Sequence, residues 1–521
     1  MKSRFFGNVH GKSTAITIPA PTLGWNARDA LANMAPQDAV TLENMFPSPT
    51  AVVMRNGYSS FFYGFSGQCE TIMQYSGAAT NKLFAVAGNK IYEATSGGSA
   101  GAALVSSLTN SRFQYVNNTT AAGNYIQAVN GADKMRVYDG TTWHKDGDGA
   151  PYDVTNVDTA TCIGIALSHN RVWFVQNNTL KAWYLPAGQI GGAAAALDLS
   201  SFAQRGGYLM AVTTWTMDAG YGMDDMTVFI TSNGEVLVYR GSDPASSSTF
   251  SLIGVYWIGS PIGRRCFIKF AGDLLLITQD GVLSMAAALQ SSRVNPKSAL
   301  STKIQYAIST AITLYSTHYG WQLMQFPREN MIILNVPVTE GNGQQQYVMS
   351  TLKRSNGDWA WCNFTGWNAN CWELWKDDIY FGANGFVGKA WDGTSDNGSN
   401  IQSNGLQAFN NFGNDKVQKR FTMMRPILQS NGTPAILAQI NVDFDLSDPT
   451  SPLSFAPSTY GVWDSGLFDV ALWGGDLGIL KNWQGCTGIG YWAAPRLKVA
   501  SQNIDVQWVN TTVVFEGGGI L

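Results

Sequence analysis

Asp218, Asp224 and Asp225 fall within the eight residues Asp218-Ala219-Gly220-Tyr221-Gly222-Met223-Asp224-Asp225. Carboxylates so close could gather around a calcium ion or form the pair that cleaves a glycosidic bond. The plainer reading is a glycine-rich loop whose aspartates cap turns through their own backbone. Asp139, Asp280 and Asp392 stand at turn positions and read the same way. Gly7-Asn8-Val9-His10-Gly11-Lys12-Ser13 looks like a phosphate loop but has three residues between its glycines, where such a loop has four and follows a buried strand. The four histidines (His10, His144, His169 and His318) lie far apart, with no Cys or carboxylate at ligand spacing. No catalytic residue, metal or cofactor is therefore expected. Two basic clusters remain as candidate contacts to DNA phosphate or to a subunit's carboxylates. One is Arg264, Arg265 and Lys269, and the other is Lys416, Lys419, Arg420 and Arg425. The bland alternative for both is a solvated strand face.

The whole chain sets bounds on that chemistry. With 33 Lys and Arg against 36 Asp and Glu, the net charge is −3, so bulk charge does not hold nucleic acid or an anionic membrane. Only 13% of residues are charged, 12% are aromatic and 55 are glycine, a profile of turn-rich β structure rather than long exposed helices. The six cysteines (Cys69, Cys162, Cys266, Cys362, Cys371 and Cys486) are scattered and read as buried thiols of a reducing compartment. No secretory signal follows Met1, and no apolar run is long enough for a membrane-spanning helix, so a cytosol-like site of synthesis is expected.

The elements that would position these residues are hairpins. Val228–Thr231 turns through Ser232-Asn233-Gly234 into Val236–Tyr239, and Leu274–Thr278 turns through Gln279-Asp280-Gly281 into Val282–Met285. Asn-Gly and Asp-Gly supply the positive φ of a tight primed turn. Similar units run over Leu83–Tyr92, Tyr125–Gly140, Arg171–Tyr184, Met331–Trp361 and Ile379–Trp391, making seven. Their spacing is that of four-stranded blades. The fold class expected is all-β: a β-propeller of six or seven blades, a smaller β-rich platform domain and one inserted amphipathic helix. A series of β-sandwiches is the alternative.

Three regions follow from this: an N-terminal arm or platform segment over 1–65, the propeller over 66–396, and a C-terminal platform over 397–521 that the arm completes. Within the propeller, 188–207 and 295–317 read as insertions. In the second, Leu300, Ile304, Ala307, Ile308, Ala311 and Ile312 mark one helix face. Asp38–Asn44 reads as a short helix, Arg55-Asn56-Gly57-Tyr58 as a hairpin turn, and Asn397–Asn414 as a linker.

Two sets of motifs carry a resemblance. The first is Gly24-Trp25-Asn26-Ala27-Arg28-Asp29 with Met34–Ala39, Asn44–Pro47 and Arg55–Tyr58. The second is Trp215–Gly220 with Val228–Tyr239, Gly263–Cys266 and Thr278–Gly281. Together they resemble the tail nozzle, or tail-hub, proteins of short-tailed bacteriophages, a group that includes packaged-DNA-stabilisation proteins. The resemblance spans most of residues 24–285. It implies a non-enzymatic virion tail protein assembled in the host cytoplasm. Such a protein is a homo-oligomer, a hexameric ring, that binds a head-to-tail adaptor above and tail fibres or spikes beside it. Double-stranded DNA passes through the ring without sequence-specific contact. A propeller lectin or glycan-degrading enzyme acting on host surface polysaccharide is the rival reading.

Overall fold

The structure, a computed structural model, describes residues 13–218, 223–288, 299–354, 357–453 and 477–518. It divides into two compact units. One combines Met1–Tyr58, Val348–Thr365 and Trp391–Leu521, and the other combines Ser59–Tyr347 and Gly366–Ala390. The break therefore falls at Tyr58 rather than after residue 65, and 348–365 and 391–396 leave the propeller for the platform.

The larger unit is a β-propeller, with seven blades among the described residues. Each of the seven hairpins legible in the sequence supplies the second and third strands of one blade. In the first blade these are Asn81–Ala87 and Lys90–Glu93, joined through Gly88 and Asn89 at φ 53° and 62°. In the fourth they are Met223–Thr231 and Glu235–Arg240, with Gly234 at φ 79°.

These middle strands read as near-continuous apolar runs because both faces of a blade are buried against its neighbours. Phe84 and Val86 pack with Ile126 and Ala128 of the second blade, while Leu83, Ala85 and Ala87 pack with Tyr380 and Val387 of the seventh. Val172 and Phe174 face the second blade's Val129 and Val137, and Trp173 and Val175 face Phe229 and Leu237 of the fourth. A single polar substitution in such a run therefore disturbs one inter-blade layer.

The ring closes through one long strand, Tyr58–Ser76. Its first part lies beside Asn384–Ala390 as the outer strand of the seventh blade, and Cys69–Ser76 pairs with Asn81–Ala87 as the inner strand of the first. Chain segments some 300 residues apart thus share a sheet, which removes the open edges of the ring. Residues 188–207 are not an insertion: Ala195–Asp198 is the third blade's outer strand, antiparallel to Lys181–Tyr184. The expected helix is real over Gln305–Tyr315, with Ile304, Ile308, Ala311 and Ile312 buried and Tyr306 and Leu314 exposed. It packs on Met331–Thr339 and Gly281–Ser284. The preceding part of that segment, 289–298, lies outside the described residues.

The platform holds two sheets. In one, Lys419–Ser430 and Val506–Gly517 pair along their length, and Ser13–Pro19 adds to the latter antiparallel. In the other, Asp38–Glu43 pairs with Ile401–Gln407, which pairs with Ala493–Ser501 and then Ala435–Val442. Gly405 meets Met45 and Trp508 of the first sheet, where a Cβ would come within 2.8 Å of the Met45 sulfur. The N-terminal segment is thus an integral part of this body.

Two sequence expectations fail here for one reason. Asp38–Asn44 is a strand and Asn397–Asn414 contains one, because buried polar side chains find partners only across the sheet. Ser403 donates to the Asn44 carbonyl at 3.1 Å, and Gln407 donates to Pro19 and Pro36 carbonyls at 2.7 Å each. Arg55–Tyr58 is no hairpin turn either. Gly57 allows a close approach, since a Cβ there would lie 1.8 Å from the Ser395 carbonyl oxygen.

Candidate functional site

The residues of the N-terminal motif are consumed in building the platform. Asn26 donates to the carboxylates of Asp29 and Asp38 at 2.8 Å each. Asn44 donates to Thr365 and to the Gln402 carbonyl. Arg55 donates to Asn44, to the Thr365 carbonyl and to both oxygens of Asp396. Every guanidinium nitrogen of Arg55 has an acceptor, which is how a buried arginine offsets its desolvation.

The propeller axis is a separate feature. Its inner strands converge on a cavity of about 210 Å³ to which each blade contributes: Ile72, Tyr115, Ile165, Val212, Arg265, Leu323 and Glu373 all line it. Arg265 spans this space. Its guanidinium donates to Thr71 Oγ1 at 2.9 Å, the Phe113 carbonyl at 3.0 Å and the Glu70 carbonyl at 3.2 Å, and to Gln322 at 3.3 Å. Burial pushes the Glu373 carboxyl up to about 7, against the lowering effect of the Tyr115 hydroxyl bonded to it and the Leu374 N–H. A polar plug of this kind ties the blades together along the axis.

The cavity opens into a wider mouth of about 600 Å³ that shares Met210, Arg264 and Arg265 with it. Arg112 lies across this mouth, bonded to Glu70 at 2.9 Å and Glu340 at 2.5 Å, and stacks on Tyr319 with 4.4 Å to the ring centre. Arg264 differs: no hydrogen bond or ion pair joins it to any described residue. Burial lowers its pKa, Tyr319 and Tyr208 oppose that, and neighbouring Arg112 adds to it.

The structure thus separates the first basic cluster. Arg264 and Arg265 line the cavity, while Lys269 is exposed and donates to Thr214 Oγ1. The second cluster also divides. Lys419 is buried, its ammonium donating to the carbonyls of Asn414, Val417 and Tyr491. Lys416 and Arg420 are exposed, and Arg425 lies over the Trp483 ring at 4.6 Å. A sequence reading has no means to tell Lys419 from Lys416, since only the fold supplies the carbonyls.

The aspartates divide in a similar way. In backbone register, Asp218 and Asp224 face Met223 and Met217 near the end of the fourth blade's first hairpin, whose loop, 219–222, lies outside the described residues. Asp225 accepts from Thr216 at 2.6 Å. Asp139 caps its own turn through the N–H groups of Thr141 and Thr142. Although burial acts to raise its pKa, those bonds and His144 lower it. His144 stacks on Tyr152 with ring centres 3.9 Å apart, and His318 bonds the Pro337 carbonyl at 2.9 Å. Among the described residues no group of three or more His, Cys, Asp or Glu could hold a metal ion. No helix among them is long and apolar enough to cross a membrane. The phosphate-loop lookalike, Gly7 to Lys12 with His10, lies outside the described residues up to Ser13.

No protein-family model matches the chain, and no curated protein matches it. Solved structures do. The chain is similar to BBS1N crystallised with ARL6DN at 9% identity, over 66% of this chain and 99% of that one, with a TM-score of 0.38. It is similar to YCF48 bound to D1 peptide at 11% identity, over 68% and 98%, with a TM-score of 0.37. The extracellular domain of a one-component system from B. thetaiotaomicron matches at 11% identity, over 64% of this chain and 40% of that one, with a TM-score of 0.34. These likenesses are of fold alone.

Proposed function

We propose that the chain is a structural subunit of the tail nozzle of a short-tailed bacteriophage. It works in a homo-oligomeric ring, a hexamer in such proteins, that carries double-stranded DNA below a head-to-tail adaptor. The observation that carries this reading is the platform built from both ends of the chain. The first segment bearing the resemblance, from Gly24 to Tyr58, is bonded to residues 363–407 by Asn44 and Arg55 and adds strands to both platform sheets. Such a body is suited to docking a ring of adaptor subunits, with the propeller as a second rigid part.

Physical constraints fit the reading. A cavity of about 210 Å³ has room for a cluster of waters and little more. A duplex whose major groove alone is ~12 Å wide does not pass through it. DNA would therefore run between subunits, which makes a ring necessary for function. A net charge of −3 also suits a conduit, because each neutralised phosphate adds salt-dependent affinity that slows release.

The test is imaging of the purified chain by negative stain together with its native mass, alone and added to adaptor-bearing particles. Rings with a central channel, free or on the particles, are expected. A chain that stays monomeric and never joins such particles overturns the reading.

A further inference from the structure

We propose that the wider mouth of the propeller cavity binds a carboxylic acid, with Arg264 as the principal contact to its carboxylate. The observations come from three directions. The first is the space itself: at about 600 Å³, the mouth is of the size that encloses small ligands.

The second is the imbalance among its arginines. Arg112 is neutralised by Glu70 and Glu340, and Arg265 is spent on Thr71, Gln322 and the carbonyls of Glu70 and Phe113. Arg264 lines the same space, partly buried, and has no acceptor among the described residues. A partly buried guanidinium that faces the mouth without a protein acceptor among the described residues is free to take a ligand's carboxylate through two parallel N–H···O bonds. Gly131 makes the room: a Cβ there would lie 2.9 Å from Ile163 Cγ2 and 3.5 Å from Arg264 Nη1.

The third is the carbon surface within an otherwise polar lining. Tyr208 and Met210 line the mouth beside Arg264, while Trp321 and Tyr319 have their polar atoms committed to the Tyr315 and Glu70 carbonyls. One unmatched guanidinium beside the carboxylate of Glu70 selects a single negative charge, since a phosphate dianion would face that carboxylate with excess charge. The class of ligand is thus an acid with one carboxylate on an aromatic or aliphatic body. A free acid and the C-terminal end of a peptide share this chemistry.

Calorimetric titration of the full chain tests it. The probes are benzoate, a short N-acetylated peptide ending in a free phenylalanine carboxylate, the same peptide amidated, and inorganic phosphate. Saturable binding at one site by benzoate, by the free-carboxylate peptide or by both is expected, and which of them binds names the source. The amidated peptide and phosphate should fail. Arg264→Gln should weaken binding about tenfold or more, the worth of a charge-assisted bond, and Arg264→Lys should restore only part of it. Because Arg264 bonds to no described residue, both variants should melt with the parent chain, so lost binding is not lost folding. No binding of either acid, equal binding of phosphate, or unchanged binding by Arg264→Gln overturns the proposal. None of these outcomes depends on whether the chain forms a ring.

Discussion

Arg55 and Asp396, 341 positions apart, are joined by two hydrogen bonds of 2.7 and 2.6 Å, and the arginine side chain is fully excluded from solvent. The pair fastens the N-terminal segment to the loop that follows the propeller. Removing one partner of such a pair leaves a buried charge without compensation, at a cost of about 3–5 kcal/mol. Arg55→Ala should lower the urea midpoint of the chain accordingly. Arg55→Lys should recover little, because an ammonium cannot reach Asn44, Thr365 and Asp396 together. A lysine variant as stable as the parent would contradict this account.

Lys419 and Lys416 make a second contrast. Lys419→Ala leaves the carbonyls of Asn414, Val417 and Tyr491 without their shared donor, at about 1–3 kcal/mol. Lys416, exposed on the preceding loop, should tolerate alanine within about 0.5 kcal/mol. Chemical denaturation of the two variants side by side checks both values.

Glu373 gives the axis a pH dependence. Its pKa is raised from 4.5 to about 7, chiefly by burial, so the folded chain holds a proton that the unfolded chain has already released. A raised folded pKa adds stability that is fully present below the unfolded value and is lost as pH rises through the folded one. Stability should therefore fall between about pH 4.5 and about pH 7 by this contribution. Glu373→Gln should remove that slope and, above pH 7, leave the chain more stable than the parent. Denaturation midpoints collected across this range would expose a slope of the opposite sign.

The thiols report on the packing. Burial pushes Cys162, Cys266 and Cys486 up to about 12, and five of the six cysteines are buried. Since the thiolate is the reactive form, none of the five buried thiols should react rapidly with a disulfide reagent near pH 8 in the native chain. All six should react once the chain is denatured. A fast-reacting thiol among Cys69, Cys162, Cys266 and Cys371 in the native state would mean that a blade opens readily.

The sequence by itself determined the seven middle hairpins and the helix over Gln305–Tyr315, because local signals specify them: Asn-Gly and Asp-Gly turns, β-branched runs and a 3.6-residue repeat. The inner strands carry no such local signal because they line a cavity of mixed polar and apolar residues. Gln114–Thr120 (QYVNNTT) and Cys371-Trp372-Glu373 lack the apolar alternation of a half-buried strand. The Ile401–Gln407 strand was hidden for a similar reason: its buried Ser403 and Gln407 are satisfied only by Asn44, Pro19 and Pro36, hundreds of positions away.

The chemistry of the arginines and lysines was likewise a matter for the tertiary structure. Residue type supplies a charge, but only the packed chain decides how many acceptors stand within reach of it. That is why adjacent Arg264 and Arg265, alike in sequence, end among the described residues with no acceptor and with four.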